Sequence, residues 1–312
     1  MKNLEHIVQV KNLKKSYRGQ EAVRGISFQV NKGQLFALLG PNGAGKTTTI
    51  NILCSCVKAD SGSILVDGLK LGHQNQEICR KMGVVFQNGI LDDLLTIEEN
   101  LSIRGRFYGL RGKILQDRTK EIARMTGIYD FLDRPYGKLS GGQRRRCDIA
   151  RALIHFPKIL LLDEPTTGLD PKMRSAIWGT IDAIKAETDM TILLTTHYME
   201  EAAKADNIVI MQNGEIAVQS TPMLLKEHFS QDSLVMFAKS LCPLKNILDT
   251  KGIQYRQKGN GLEVPLTKTL DALPLLELCR DRYVGFEVLR GNMDDAYLSV
   301  IERGSGHVQF CV

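Results

Sequence analysis

The chain has 312 residues, of which 43% are hydrophobic and 24% charged, the proportions of an ordinary globular protein with room for one large domain plus a small one, or two moderate ones. No stretch approaches the ~18 apolar residues of a membrane-spanning helix, and the terminal Met1-Lys2-Asn3-Leu4-Glu5-His6 lacks the apolar core of a secretion signal. A cytosolic location is therefore expected, with any membrane role left to a separate partner. The net charge of +6 is mild; it fits contact with nucleotide or an anionic membrane surface and does not by itself argue for nucleic acid.

In chain order, residues 7–10 and 26–30 read as strands of an antiparallel sheet, with a loop at 14–19 between them. Tyr17 in that loop is either a core or turn tyrosine or an aromatic face on which a base could stack. Residues 35–39 form an apolar strand, and 47–57 a helix carrying Ile50, Ile52 and Leu53. Between them Gly40-Pro41-Asn42-Gly43-Ala44-Gly45-Lys46-Thr47 fits G-x-x-x-x-G-K-[ST], in the strand-then-helix context that gives the pattern physical meaning. Its glycines let successive backbone N–H groups curl inward at one anion, and the helix N-terminus adds partial positive charge there. Lys46 can reach the β- and γ-phosphates and the Thr47 hydroxyl can ligate Mg²⁺, so the stretch predicts nucleoside triphosphate binding.

Residues 62–68 have the strand-then-turn look of a hairpin arm, and 82–87 form an apolar strand that ends on Gln87. Thr96-x-x-Glu99 is a capping box opening a helix with Leu101, Ile103, Phe107 and Tyr108; a second helix spans 113–125 and closes at Gly127. This block, at about 88–138, interrupts the strand–helix alternation and reads as an inserted helical subdomain. The subdomain extends to about 155 with the helix that Leu139-Ser140-Gly141-Gly142-Gln143 opens. Arg144-Arg145-Arg146, at the start of that helix, reads as a solvated charge run and is left out of the site. Residues 158–164 form an apolar strand ending in Asp163 and Glu164, as in a parallel sheet buried on both faces. Residues 190–197 repeat the theme and end on His197, and 208–211 with 215–218 form a hairpin across Gln212-Asn213-Gly214. Ligands of open parallel sheets lie beyond the carboxyl ends of the strands, so Gln87, Asp163, Glu164 and His197 are expected to converge on the phosphate loop. From about 230 the order is βαββαβ with a final helix, a ferredoxin-like arrangement suited to a small accessory or dimerisation domain. Cys54, Cys56, Cys79, Cys147, Cys242, Cys279 and Cys311 are scattered and read as reduced, mostly buried thiols; Cys54-x-Cys56 falls in the helix after the phosphate loop without a second pair at zinc spacing.

Residues 1 to about 225 resemble the ATP-binding subunit of an ABC transporter, through six motifs in the family's order. Gly40 to Thr48 resemble its Walker A, Gln87 its Q-loop, and Leu139 to Gln143 its signature. Residues 159–163 followed by Glu164 resemble Walker B with the catalytic glutamate, Gly168-Leu169-Asp170 the D-loop, and His197 the switch histidine. Leu91-Asp92-Asp93-Leu94-Leu95-Thr96 is similar to the drug- and antibiotic-export (daunorubicin-resistance-like) branch, whose ATPase is encoded apart from its membrane subunit. Asn292-Met293-Asp294-Asp295-Ala296-Tyr297-Leu298 resembles the segment closing that branch's accessory domain. The resemblance implies an α/β P-loop NTPase fold: a mixed-sheet ABC ATPase domain with an antiparallel sheet and an inserted helical subdomain at 1–225, then a small α+β ferredoxin-like domain at 230–312.

The resemblance also implies roles. Gly40, Pro41, Asn42, Gly43, Ala44, Gly45, Lys46, Thr47 and Thr48 would hold ATP, with Tyr17 against the adenine. Thr47, Gln87 and Asp163 would bind Mg²⁺. Lys46, Gln87, Glu164 as general base and His197 would form the catalytic set. Ser140 and Gly142 would complete the site of an opposing subunit, with Gln143 and Asp170 also among the nucleotide contacts. The expected partners are a second copy, head-to-tail with ATP at the interface, and a separate polytopic membrane protein that exports a drug, antibiotic or peptide; the alternative cargo reading is a polysaccharide exporter, a sodium extruder or an importer, since nothing in the soluble ATPase contacts cargo. Nucleic acid is not expected: ribosome-acting members usually carry two tandem ATPase halves and the DNA-repair type a long inserted coiled coil, and this chain has neither. The ATPase would lie peripherally on the cytoplasmic side of the membrane.

Overall fold

A computed structural model of the chain describes residues 5–303 and 308–309; Met1–Leu4 of the terminal stretch and Cys311 lie outside the described residues. Alternating apolar residues at the front of the chain produce two long strands, β1 (His6–Tyr17) and β2 (Gln20–Asn31), paired antiparallel. The loop expected at 14–19 is shorter than that. Pairing continues to Tyr17, and Arg18 and Gly19, both at positive φ (50° and 84°), close a two-residue turn whose twist matches the strands. The apolar β3 (Leu35–Leu39) then runs into α1 (Lys46–Leu53). The helix ends at Leu53 rather than at 57, because Ser55 turns left-handed (φ 62°) and the Cys56 and Val57 amides bond back to the Asn51 carbonyl. Cys54 is therefore the C-cap, and Cys56 lies in the turn beyond rather than in the helix. Of the six described cysteines, all free, only Cys147 and Cys279 are buried, so the expectation of mostly buried thiols does not hold.

The strand β4 (Ser61–Val66) joins β5 (Leu69–Lys70) across Asp67-Gly68, and with β1 and β2 they form a four-stranded sheet in the order β2-β1-β4-β5. Its apolar face, with Val8, Val10, Phe28 and Val66, packs on α1 through Ile50 and Ile52 and on Phe36 of β3. After α2 (Asn75–Lys81) and β6 (Met82–Val85) come the inserted helices α3 (Ile97–Phe107) and α4 (Gly112–Met125), then α5 (Gly141–Leu153). The expected capping box is formed: Glu99 N donates to Thr96 Oγ1 at 3.2 Å and Thr96 N to Glu99 Oε2 at 2.8 Å.

The fully buried β7 (Ile159–Asp163) is followed by α6 (Pro171–Glu187), β8 (Thr191–Thr196), α7 (Met199–Ala202), and a hairpin of β9 (Asn207–Gln212) and β10 (Glu215–Ser220). Asn213 and Gly214, both left-handed, form a two-residue turn; Gln212 is still part of β9. Strands β9, β3, β8, β7 and β6 are neighbours and mutually parallel, which brings the carboxyl ends of β3, β8, β7 and β6 to one edge. The antiparallel β10 makes the sheet mixed.

The chain divides into two compact units, which part between Ser220 and Thr221. The second opens with α8 (Pro222–Phe229), so that helix belongs with the C-terminal unit. There β11 (Asp232–Phe237), α9 (Cys242–Thr250), β12 (Arg256–Lys258), β13 (Gly261–Leu266), α10 (Ala272–Leu278), β14 (Gly285–Leu289) and α11 (Met293–Arg303) follow. The sheet order is β12-β13-β11-β14, antiparallel throughout, which is the ferredoxin-like arrangement. The strand β12 starts only at Arg256 because Ile253 still closes α9, its amide donating to Leu248 O at 2.9 Å. A short β15 (Val308–Gln309) returns to the first unit and pairs parallel with β10. Among the described residues no helix is long and apolar enough to cross a membrane.

Two measurements test this packing. Thr96→Ala removes the cap acceptor of α3 and is expected to lower stability by about 1 kcal/mol, read as an earlier urea midpoint. His155 stacks on Tyr108 at 3.7 Å between ring centroids and donates from Nε2 to Met82 O. Burial holds this imidazole neutral, with its pKa down to about 4. The unfolded chain, with an ordinary histidine near ~6.5, then binds more protons between the two values, so stability falls as pH drops from about 6.5 to 4. His155→Phe should lose part of that acid sensitivity when urea midpoints are compared at pH 7 and pH 4.5.

Candidate nucleotide-binding site

The loop from Gly40 to Gly45 leaves β3 and delivers Lys46 and Thr47 as the first residues of α1. Gly45 sits at φ 101°, where a side chain would be strained, and a Cβ there would come within 2.5 Å of Ala22 O. A cleft of about 720 Å³ opens at the loop, within the size range of ligand sites. Tyr17, Asn42, Gly43, Ala44, Gly45, Lys46, Thr47, Thr48, Gln87, Glu164 and His197 all line it. Gly40 and Pro41 contribute from behind, their carbonyls accepting from Lys46 Nζ at 2.8 and 3.1 Å. Tyr17 is 44% exposed at the end of β1, with Lys15 Nζ 5.4 Å from its ring centroid, so a ring face stands open beside the loop.

The polar ends of the buried strands meet here. Asp163, last residue of β7, accepts from Thr195 Oγ1 at 2.6 Å and lies 3.5 Å from Thr47 Oγ1. Glu164 follows at φ 46°, a left-handed conformation that costs a non-glycine residue about 1–3 kcal/mol. Its amide donates to the Thr195 carbonyl and hydroxyl, and its carboxylate accepts from Thr167 Oγ1 at 3.0 Å. His197 Nδ1 lies 3.5 Å from Glu164 Oε2, and Lys46 Nζ 3.8 Å from Glu164 Oε1. Burial pulls the Lys46 ammonium below its ordinary range, with Glu164 and Asp163 opposing the shift. Burial likewise pushes the Asp163 carboxyl up, against the Thr195 hydrogen bond. In both groups the loss of water outweighs the charges already nearby, so a phosphate beside Lys46 and a divalent cation beside Asp163 would favour the charged forms. One carboxylate with hydroxyl and amide oxygens is a donor set that suits Mg²⁺ held jointly with a nucleotide's phosphates.

Four expected residues lie elsewhere. Ser140 is the N-cap of α5 and shares a capping box with Gln143: Ser140 N donates to Gln143 Oε1 at 3.0 Å and Gln143 N to Ser140 Oγ at 3.4 Å. Gly142 is buried, and a Cβ there would come within 2.9 Å of Met173 Cγ. Asp170 caps α6, accepting from Met173 N at 2.8 Å. None of the four lines the cleft.

Other participants were not singled out from the sequence. Gln20, Glu21, Ala22 and Thr167 line the cleft with no local signal. Thr195 had one, a hydroxyl inside an apolar strand that must find a partner. Arg145 overturns the reading of residues 144–146 as a solvated face. It is buried and donates to the carbonyls of Phe86, Asp163, Glu164 and Pro165. Its four-residue spacing to the buried Ile149 on α5 was the available signal.

The family model described as ABC transporter matches residues 23–167. Nod factor export ATP-binding protein I of Ralstonia nicotianae is 40% identical over 307 residues, covering 95% of this chain and 94% of that protein. Daunorubicin resistance ATP-binding protein DrrA2 of Streptomyces coeruleorubidus is 39% identical over 313 residues, covering 97% and 96%. A dimeric ATP-binding cassette solved in a post-hydrolysis state with ADP and Pi is 30% identical with a TM-score of 0.63, over 69% of this chain and 98% of that one. With a phosphate loop, a strand-end carboxylate and a histidine gathered in one cleft, a second carboxylate buried just behind it, and relatives matched over nearly their full length, this chain belongs to the ABC transporter family as one of its ATP-binding, ATP-hydrolysing subunits.

Proposed function

We propose that two copies of this chain close head-to-tail around two ATP molecules and drive export of a drug, antibiotic or peptide through a separate polytopic membrane protein, from the cytoplasmic side. The observation that carries the dimer is the division of the motifs. The cleft gathers Lys46, Gln87, Glu164 and His197, whereas Ser140 and Gly142 stand at the start of α5 outside it, where the positive end of the helix dipole suits a phosphate presented by another chain. The dimeric ADP-bound cassette among the solved relatives supports this closure. Export as the direction, and drug-like cargo as its class, rest on the relatives named for daunorubicin resistance and Nod factor export. In this reading the ATPase domain expected at 1 to about 225 ends at Ser220 and includes a helical subdomain at about 88–155, and the accessory domain expected at 230–312 is the unit that starts at Thr221.

The roles follow from position. The loop amides of Gly43, Ala44 and Gly45 and the ammonium of Lys46 cradle the phosphates, and Tyr17 offers its ring to the adenine. Thr47, Gln87 and Asp163 would hold Mg²⁺, which neutralises charge on the phosphate oxygens when bound. Glu164 takes the proton of the attacking water, and Thr167 fixes the rotamer of its carboxylate. His197, beside Glu164, hydrogen-bonds the γ-phosphate and orients it in line with the water. Gln143 and Asp170 serve the second half-site by fixing the starts of α5 and α6.

Glu164→Gln keeps the shape of the base and removes its basicity. It should abolish turnover and accumulate as an Mg-ATP dimer by light scattering; a variant that stays monomeric sinks the head-to-tail reading. A tagged chain pulled from detergent-solubilised native membranes should bring down a polytopic membrane protein in roughly equal amount. Ribosomal proteins or DNA in its place would overturn the transport role and leave the ATPase.

A further inference from the structure

Arg145 is 6% exposed, and every hydrogen bond its guanidinium makes is to a backbone carbonyl. Nε donates to Pro165 O at 2.7 Å, one terminal nitrogen to Phe86 O, and the other to Asp163 O at 3.0 Å and Glu164 O at 3.1 Å. Burying a cation whose hydrogen bonds go to neutral carbonyls is costly, with the Asp148 and Asp163 carboxylates only partly offsetting the loss of water, and an apolar side chain would fill the same space more favourably if packing were all that the position required. The three consecutive carbonyls it holds belong to the turn in which Glu164 is forced left-handed. The fourth belongs to the residue before Gln87.

We propose that Arg145 is a positioning residue for hydrolysis: it holds the strained turn that aims the Glu164 carboxylate into the cleft and, through Phe86, fixes Gln87 beside it. The inference rests on the reading of Glu164 as the general base. The Glu164 amide is tied to Thr195, and Thr167 N donates to the Glu164 carbonyl at 3.4 Å; Arg145 ties three carbonyls in a row. Without the guanidinium the Asp163 and Pro165 carbonyls lose this partner and Glu164 O is left with the longer bond from Thr167 N, so the turn relaxes toward ordinary φ and the carboxylate swings away from its place beside Lys46 and His197. Because Arg145 stands on the helix that Ser140 opens, it also ties the segment bearing Ser140 and Gly142 to the turn bearing Glu164.

Arg151 provides a matched control. It is buried on the same helix and donates to a backbone carbonyl of the same sheet, that of Val84, without touching residues 163–165. The experiment measures kcat and KM for Mg-ATP and the melting midpoint of the full chain as Arg145→Gln, Arg145→Lys, Arg151→Gln and Glu164→Gln. Misplacing a catalytic group by about 1 Å costs on the order of 100-fold. Arg145→Gln should therefore lose about 10- to 100-fold in kcat with KM within about threefold of wild type, and Arg145→Lys should fall between. Arg151→Gln, assayed below its own melting midpoint, should keep kcat within about threefold. The proposal is overturned by wild-type turnover in a folded Arg145→Gln, by equal losses at Arg145 and Arg151, or by a loss expressed in KM. If Arg145→Gln does not fold, Arg145→Lys is read by the same criteria. Wild-type turnover in Glu164→Gln overturns the base itself and the positioning with it, whereas its loss beside wild-type turnover in the Arg145 variants overturns the positioning alone.

Discussion

Asp163 sits where the apolar interior of the sheet stops and the nucleotide cleft begins. Its carboxylate is almost wholly buried, accepts the Thr195 hydroxyl from the neighbouring strand and faces Thr47 at the start of α1. Strands β3, β7 and β8 run parallel as near-continuous hydrophobic segments, so polar groups can appear only at their ends, and there each must find a partner. The partners are one another. The requirement that buried polar atoms be satisfied thus places a carboxylate, a hydroxyl and the loop ammonium within a few ångströms, and Glu164 and His197 follow in the chain one residue beyond their strands.

The inserted helices depend on the same economy of buried polar groups. A capping box opens both α3 and α5, each closing its first turn with its own side chains. In α5 this uses the serine and glutamine of the motif, so Ser140 and Gln143 order the helix start. Deeper in the same helix, Arg145 and Arg151 reach back to the carbonyls of residues 84 and 86 beside β6. The helical block is therefore fastened to the sheet by guanidinium groups on backbone oxygens as well as by apolar packing.

The readings that needed correction differ in cause. A run of three arginines has the composition of a solvated face, and only the approach of α5 to residues 163–165 takes the middle one inside. Propensity carries α1 on to 57, but the left-handed turn at Ser55 ends it at Leu53 and leaves Cys56 outside the helix. Tyr17 lies on a strand because pairing with β2 continues past the polar residues that suggested a loop. For Arg145 a contact distant in sequence overrode a local preference, whereas the ends of α1 and β1 are set by the turns at Ser55 and at Arg18-Gly19.

The sequence by itself determined the phosphate loop, the capped helices, the strand-end carboxylates and histidine, and the βαββαβ order of the C-terminal unit. Those are local matters: a glycine pattern, a cap spacing, a hydrophobic period and its last polar residue are written within a few positions of one another. Tertiary structure alone decided that Thr195 bonds Asp163 and that Arg145 is inside, tied to Phe86 and to residues 163–165. It also separated Ser140, Gly142, Gln143 and Asp170 from the cleft that holds the other motifs. Strand order and helix docking set those relations, because they join residues tens of positions apart whose partners no local pattern names.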